Sequence, residues 1–107
     1  MIEGIPMDIR TTTDGTAFRA EMSGRLSFSD HQAFRILLQD IEKAKAKSCV
    51  FDLGHLASVD SSGLGMFIIA AEAAKTGNWQ LTLKGANGQV AQLLLLAKFD
   101  KLLHLVD

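Results

Sequence analysis

Phe51-Asp52-Leu53-Gly54-His55-Leu56-Ala57-Ser58-Val59-Asp60-Ser61-Ser62-Gly63-Leu64-Gly65 is the stretch on which the fold turns. It opens on Cys49-Val50-Phe51, a continuous apolar run that reads as a central strand covered on both faces. A loop then delivers one acid and two hydroxyls to the start of a helix spanning residues 61–75, with Gly77 as its stop signal. Asp60 or Ser61 caps that helix, since either side chain can accept from the free N–H groups of a first turn. Gly63 and Gly65 each cost about 1 kcal/mol of helix propensity relative to alanine. Two such residues in one first turn call for a reason, and close approach of another surface supplies one.

Upstream, Ile5, Met7 and Ile9 alternate with Pro6, Asp8 and Arg10, the period of a half-buried strand. Asp14-Gly15 predicts a two-residue hairpin turn. Phe18, Ala20 and Met22 then alternate with Arg19, Glu21 and Ser23 in a second strand ending near Leu26. Ser29-Asp30-His31-Gln32 has the spacing of a capping box. Phe34, Leu37, Leu38 and Ile41 follow on one helical face. Downstream, Trp79, Leu81 and Leu83 predict a strand. Asn87 or Gly88 opens a third helix with Val90, Leu93, Leu94 and Ala97 on one face, and residues 102–106 predict a short last strand. Strands separated by helices imply parallel neighbours with right-handed crossovers. Clean polar alternation in several strands implies a sheet bare on one side. The expected architecture is α/β: one small domain over residues 1–107, a mixed β-sheet with helices packed mainly on one face.

Composition narrows the function. The chain has 107 residues, 48% hydrophobic and 21% charged, which is the balance of a globular domain. Eleven Lys+Arg against twelve Asp+Glu leave a net charge of −1, so no basic field favours nucleic acid or an anionic membrane. The single cysteine, Cys49, reads as a core residue and excludes an internal disulfide. His31, His55 and His104 have no metal-ligand spacing, and no cofactor or metal is expected. Gly85-Ala86-Asn87-Gly88 has the form of an RNA-binding GXXG loop, but without a flanking basic cluster it reads as a turn. No Ser-His-Asp arrangement or carboxylate pair is supported by spacing, so the chain is not read as an enzyme. Residues 1–10 lack the pattern of a signal peptide. The longest wholly apolar stretch, residues 66–71, is far short of the roughly 20 needed to cross a bilayer, so no direct membrane insertion and a cytoplasmic location are expected.

Two readings of residues 60–63 stand side by side. In one, Asp60, Ser61 and Ser62 only cap a helix. In the other, a hydroxyl there accepts phosphate, whose charge of roughly −1.5 to −2 is tolerated at a helix N-terminus. The fold then survives modification while a docked partner meets a new charge. On the same helix Leu64, Phe67, Ile68 and Ala71 form the expected core stripe. Met66, Ile69, Ala70 and Ala73 form a second apolar strip. That strip is either packed against a neighbouring element or exposed as a partner surface.

Val59-Asp60-Ser61-Ser62-Gly63-Leu64-Gly65 resembles the Asp-Ser-Ser-Gly-Leu-Gly signature of STAS domains of the anti-sigma factor antagonist family. Met22-Ser23-Gly24-Arg25-Leu26 resembles that family's second-strand ending, and residues 90–103 its last helix. The resemblance implies a bacterial partner-switching protein. A GHKL-type anti-sigma factor kinase would phosphorylate Ser61 and a metal-dependent serine phosphatase would reverse it, with the unphosphorylated form binding the partner. Asp60 would shape the loop and Ser62 would be structural. Many relatives carry an aspartate after the strand-ending leucine, where this chain has Ser27, with Asp30 nearby. The alternative implied is a constitutive accessory subunit of a larger assembly, such as a lipid-transport ATPase complex.

Overall fold

The computed structural model describes residues 7–107, so Ile5 and Pro6 of the expected first strand lie outside the described residues. Five strands, β1 (Asp8–Asp14), β2 (Ala17–Leu26), β3 (Ser48–Val59), β4 (Gln80–Lys84) and β5 (His104–Val106), form one sheet. Three helices, α1 (His31–Lys43), α2 (Ser61–Gly77) and α3 (Gly88–Leu96), connect the last four strands. The spatial order is β1-β2-β3-β4-β5, with β1 antiparallel to β2 and every other pair parallel. Because spatial order follows chain order, each crossover steps in the same direction. Right-handed connections then place the crossover helices on the same face, as the polar alternation implies.

The two faces of the sheet differ accordingly. Phe18, Ala20, Met22 and Leu26 of β2 are buried under the helices, with Cys49, Phe51 and Leu53 of β3 and Leu81 and Leu83 of β4. Arg19, Glu21, Asp52 and Lys84 hold the alternate positions. There Arg19 pairs with Asp52 and, at 3.7 Å, with Glu21. Four phenylalanines knit the core from four segments. Phe34 of α1, Phe51 of β3 and Phe67 of α2 lie with centroids 5.8 to 6.4 Å apart, and Phe99 follows at 6.5 Å from Phe67. All but the tilted Phe51–Phe67 pair meet edge to face, an arrangement that adds to the burial energy of the rings.

Cys49 lies in this core, and burial pushes its thiol up to about 12. At pH 8 roughly one thiol in 10⁴ is then ionised, and the thiolate is the nucleophile. Iodoacetamide is therefore expected to leave Cys49 unmodified for hours in the native protein and to label it within minutes in denaturant. Rapid native labelling would show an open core.

Several boundaries differ from the sequence reading. The hairpin closes one residue later: Asp14 pairs with Ala17, and Gly15-Thr16 is the turn, with Gly15 at φ +62°. The capping interaction sits two residues earlier than the Ser29 spacing predicts. The Ser27 N–H donates to the Asp30 carboxylate at 2.8 Å, and a 3₁₀ turn (Phe28–Asp30) leads into α1. Ser27 is still extended as it leaves β2, so the chain has to turn there. Ala97 is exposed just beyond the end of α3 rather than part of its apolar face.

The largest difference is β3, which does not end in a loop after Phe51 but continues to Val59. Two register shifts against β2 explain it. Three β3 steps, Asp52 to His55, match two β2 steps, Glu21 to Ser23; two, Leu56 to Ser58, match one, Gly24 to Arg25. Each extra residue is a bulge that bends the strand and resets which face the next side chain takes. Inward positions therefore run Cys49, Phe51, Leu53, Leu56, Val59.

Candidate functional site

The bulged end of β3 delivers Asp60 to the start of α2, beside the end of β2. Asp60 uses all three of its local groups. Its N–H donates to the Leu26 carbonyl at 3.2 Å, and its own carbonyl accepts the Leu64 N–H at 3.0 Å. Its carboxylate accepts the Gly63 N–H at 2.9 Å. Asp60, not Ser61, is thus the N-cap. Asp60→Ala is expected to cost about 1 kcal/mol, as for other caps, read from urea denaturation; unchanged stability would mean that this bond contributes nothing.

With the cap supplied by Asp60, Ser61 is the first residue of the helix and is exposed, and Ser62 beside it is half-buried. The helix macrodipole places partial positive charge at this turn. Gly63 is buried, and the reason is close approach. A Cβ there would overlap Val59 Cγ2 and lie 3.1 Å from both Leu26 Cγ and the Leu26 carbonyl oxygen. Gly65 is different: a Cβ there meets nothing within 4 Å. Close approach therefore accounts for one of the two glycines.

Gly63 also sets the rotation of α2. The buried face is Gly63, Met66, Phe67, Ala70 and Ala74, at spacings of 3, 4, 7 and 11 residues from Gly63. Its small residues let the helix lie close on the strand ends. This corrects two expectations. Met66 and Ala70 are 1% and 0% exposed, so they belong to the core and cannot line a partner surface. Ile68, expected in the core stripe, is 41% exposed. Ile69 is 49% exposed and Ala73 half-buried. By helical periodicity the outward face carries Ser61, Gly65, Ile68, Ile69 and Glu72. Phe28, 70% exposed, stands on the turn two residues beyond Leu26.

One contributor went unnoticed in the sequence. β4 pairs with β3 only from Ser48 to Asp52, so the remainder of β3 outruns its neighbour on that side. Two side chains at the start of α3 fill part of the gap. Asn87 donates to the carbonyls of Gly54 and Gly85, both at 3.2 Å. The Gln89 carboxamide accepts the Val59 N–H at 3.1 Å and donates to the Val59 carbonyl at 2.9 Å. Nothing in the local pattern of Asn87-Gly88-Gln89 marks this, because the partner is 30 residues away.

No group of three or more His, Cys, Asp or Glu among the described residues is placed to hold a metal ion. No helix among them is long and apolar enough to cross a membrane. A groove of about 750 Å³ begins at Ile68 and runs toward residues 100–104, leaving residues 60–66 outside it. Ser61 stands on an exposed helix start, with exposed Ile68 and Ile69 two turns further along α2, an open surface rather than an enclosed cavity.

The family described as "Mlab, STAS domain" matches residues 9–107. A STAS-domain-containing protein of Pseudomonas aeruginosa (strain UCBPP-PA14) is 29% identical over 91 residues, covering 85% of this chain and 89% of that one. Among solved structures, an anti-sigma factor antagonist from Mycobacterium paratuberculosis superposes with a TM-score of 0.83 at 14% identity, covering 94% of this chain and 86% of that one. A sulfate transporter family protein from Wolinella succinogenes gives 0.77 at 17% identity, covering 90% and 80%. The fold is that of the anti-sigma factor antagonists, and a transporter-family protein shares it.

Proposed function

The chain belongs to the STAS-domain family, and from that premise we propose that it is a non-catalytic regulatory protein of a partner-switching system, controlled by reversible phosphorylation of Ser61. The observation that carries this reading is the exposed Ser61 hydroxyl on the first residue of α2, whose cap is supplied independently by Asp60. A phosphate there meets the positive end of a helix and displaces no structural bond of the cap. The partner is a GHKL-type anti-sigma factor kinase, and a serine phosphatase resets the switch. Asp60 and Gly63 shape the segment, Ser62 is structural, and Ile69 with Ala73 joins Ile68 in the apolar contact surface. A phosphate on Ser61 puts a dianion at the edge of that surface, where desolvating it costs more than the apolar contact returns.

The test is incubation with the kinase and ATP. Label is expected on Ser61 and absent from Ser61→Ala; persistent label in that variant would place the acceptor elsewhere. A transporter-family protein shares the fold, and the second reading kept beside the first is a constitutive subunit of a larger assembly such as a lipid-transport ATPase complex. Co-purification with a membrane ATPase, with no phosphate on Ser61, would establish it in place of the switch.

A further inference from the structure

We infer that Gln89 is a positioning residue for the Ser61 segment, tying the end of β3, from which α2 departs, to α3 through one carboxamide. The inference rests on the reading of Ser61 as phosphoacceptor.

Three observations join to support it. Val59 is the last residue of β3, where β4 no longer provides a strand partner. Gln89 answers both of its main-chain groups, accepting at 3.1 Å and donating at 2.9 Å, as a neighbouring strand would. The Val59 side chain lies directly beneath Gly63, so tightly that a Cβ at Gly63 would overlap it. A displacement of Val59 therefore moves Gly63, and Gly63 is held to Asp60 across Ser61. Gln89 never touches Ser61; it fixes the backbone on which Ser61 is presented. An enzyme transferring phosphate requires its acceptor hydroxyl in a narrow geometry, and small misplacements are costly.

Two variants separate this role from general stability. Gln89→Leu removes both bonds, while Gln89→Glu keeps the acceptor for the Val59 N–H and loses the donor. Gln89 is exposed, so both variants are expected to fold, with Tm lowered by only a few degrees in Gln89→Leu because two bonds to the buried Val59 backbone are lost. Amide hydrogen exchange on the full chain, read by NMR without any partner, is expected to quicken at Val59 at least tenfold in Gln89→Leu, with Phe51 unchanged. In Gln89→Glu the Val59 N–H stays protected. With a purified GHKL-type kinase that labels the wild type, kcat/KM for Ser61 is expected to fall about tenfold in Gln89→Leu and to an intermediate level in Gln89→Glu. A labelled wild type with unchanged exchange and unchanged kinetics in both variants would overturn the assignment of Gln89 alone. So would a loss of labelling that tracks a fall in Tm and faster exchange at Phe51, since that is a structural effect. A wild type that takes no label from any such kinase would instead overturn the reading of Ser61.

Discussion

Gly63→Ala is expected to destabilise the domain by about 3 kcal/mol, while Gly65→Ala two residues on is expected to be neutral or to gain up to about 1 kcal/mol. The contrast follows from space alone. A methyl group at Gly63 would overlap Val59 Cγ2 and press on the Leu26 carbonyl at 3.1 Å, and that carbonyl already holds the Asp60 N–H. The backbone of β2 cannot give way without losing that bond. At Gly65 the added methyl meets nothing, and alanine's better helix propensity is the remaining effect. For a domain of this size the Gly63 change corresponds to a fall in Tm of 10 °C or more, on the order of 4–8 °C per kcal/mol. Urea midpoints of the two variants, measured side by side, check it. Equal midpoints would contradict the close packing of α2 on the strand ends.

Ser61→Glu is expected to separate stability from binding. A carboxylate on the first residue of α2 faces the positive end of the helix, so stability is expected to hold or rise by about 0.3–1 kcal/mol. Partner affinity is expected to fall about 30-fold, equivalent to about 2 kcal/mol, because a charge is carried to the end of the helix face that bears Ile68 and Ile69. Ser61→Gln is the control for size. It is expected to bind nearly as well as the wild type, since it adds bulk without charge. An equal loss in Glu and Gln variants would show that volume, not charge, controls the surface. Calorimetric titration of the partner against each variant, with thermal melts of the same samples, reads both quantities.

Much of this was legible in the sequence because the physics is local. The alternation of β2 and β4 occupies a few neighbouring residues. The candidate cap at Asp60 does too, and the strand–helix order followed from them. The expected stop at Gly77 falls one residue short, since Gly77 is still helical and Asn78 takes the left-handed cap at φ +61°. What escaped depends on partners distant in sequence. The two bulges of β3 break a period of two, and a broken period from Gly54 onward looks like a loop. They become visible only against the register of β2. The rotation of α2 differs from the expected one because α2 is apolar nearly all round. Where Met66, Ile68, Ile69 and Ala70 are all apolar, hydrophobicity cannot tell the inner face from the outer. The deciding residue is Gly63, whose lack of a side chain is informative only when Val59 and Leu26 are seen against it. Gln89 escaped for the same reason: a polar residue at a helix start is ordinary until its carboxamide is found on a strand end.

The most direct measurement takes the protein prepared with phosphoserine at position 61 and compares its affinity for the kinase-type partner with that of the unmodified chain, alongside NMR amide spectra of both. The account predicts spectra that coincide outside the neighbourhood of residues 59–65 and an affinity at least 100-fold weaker for the phosphorylated form. Equal affinities, or a phosphorylated protein whose core resonances are displaced throughout, would contradict it.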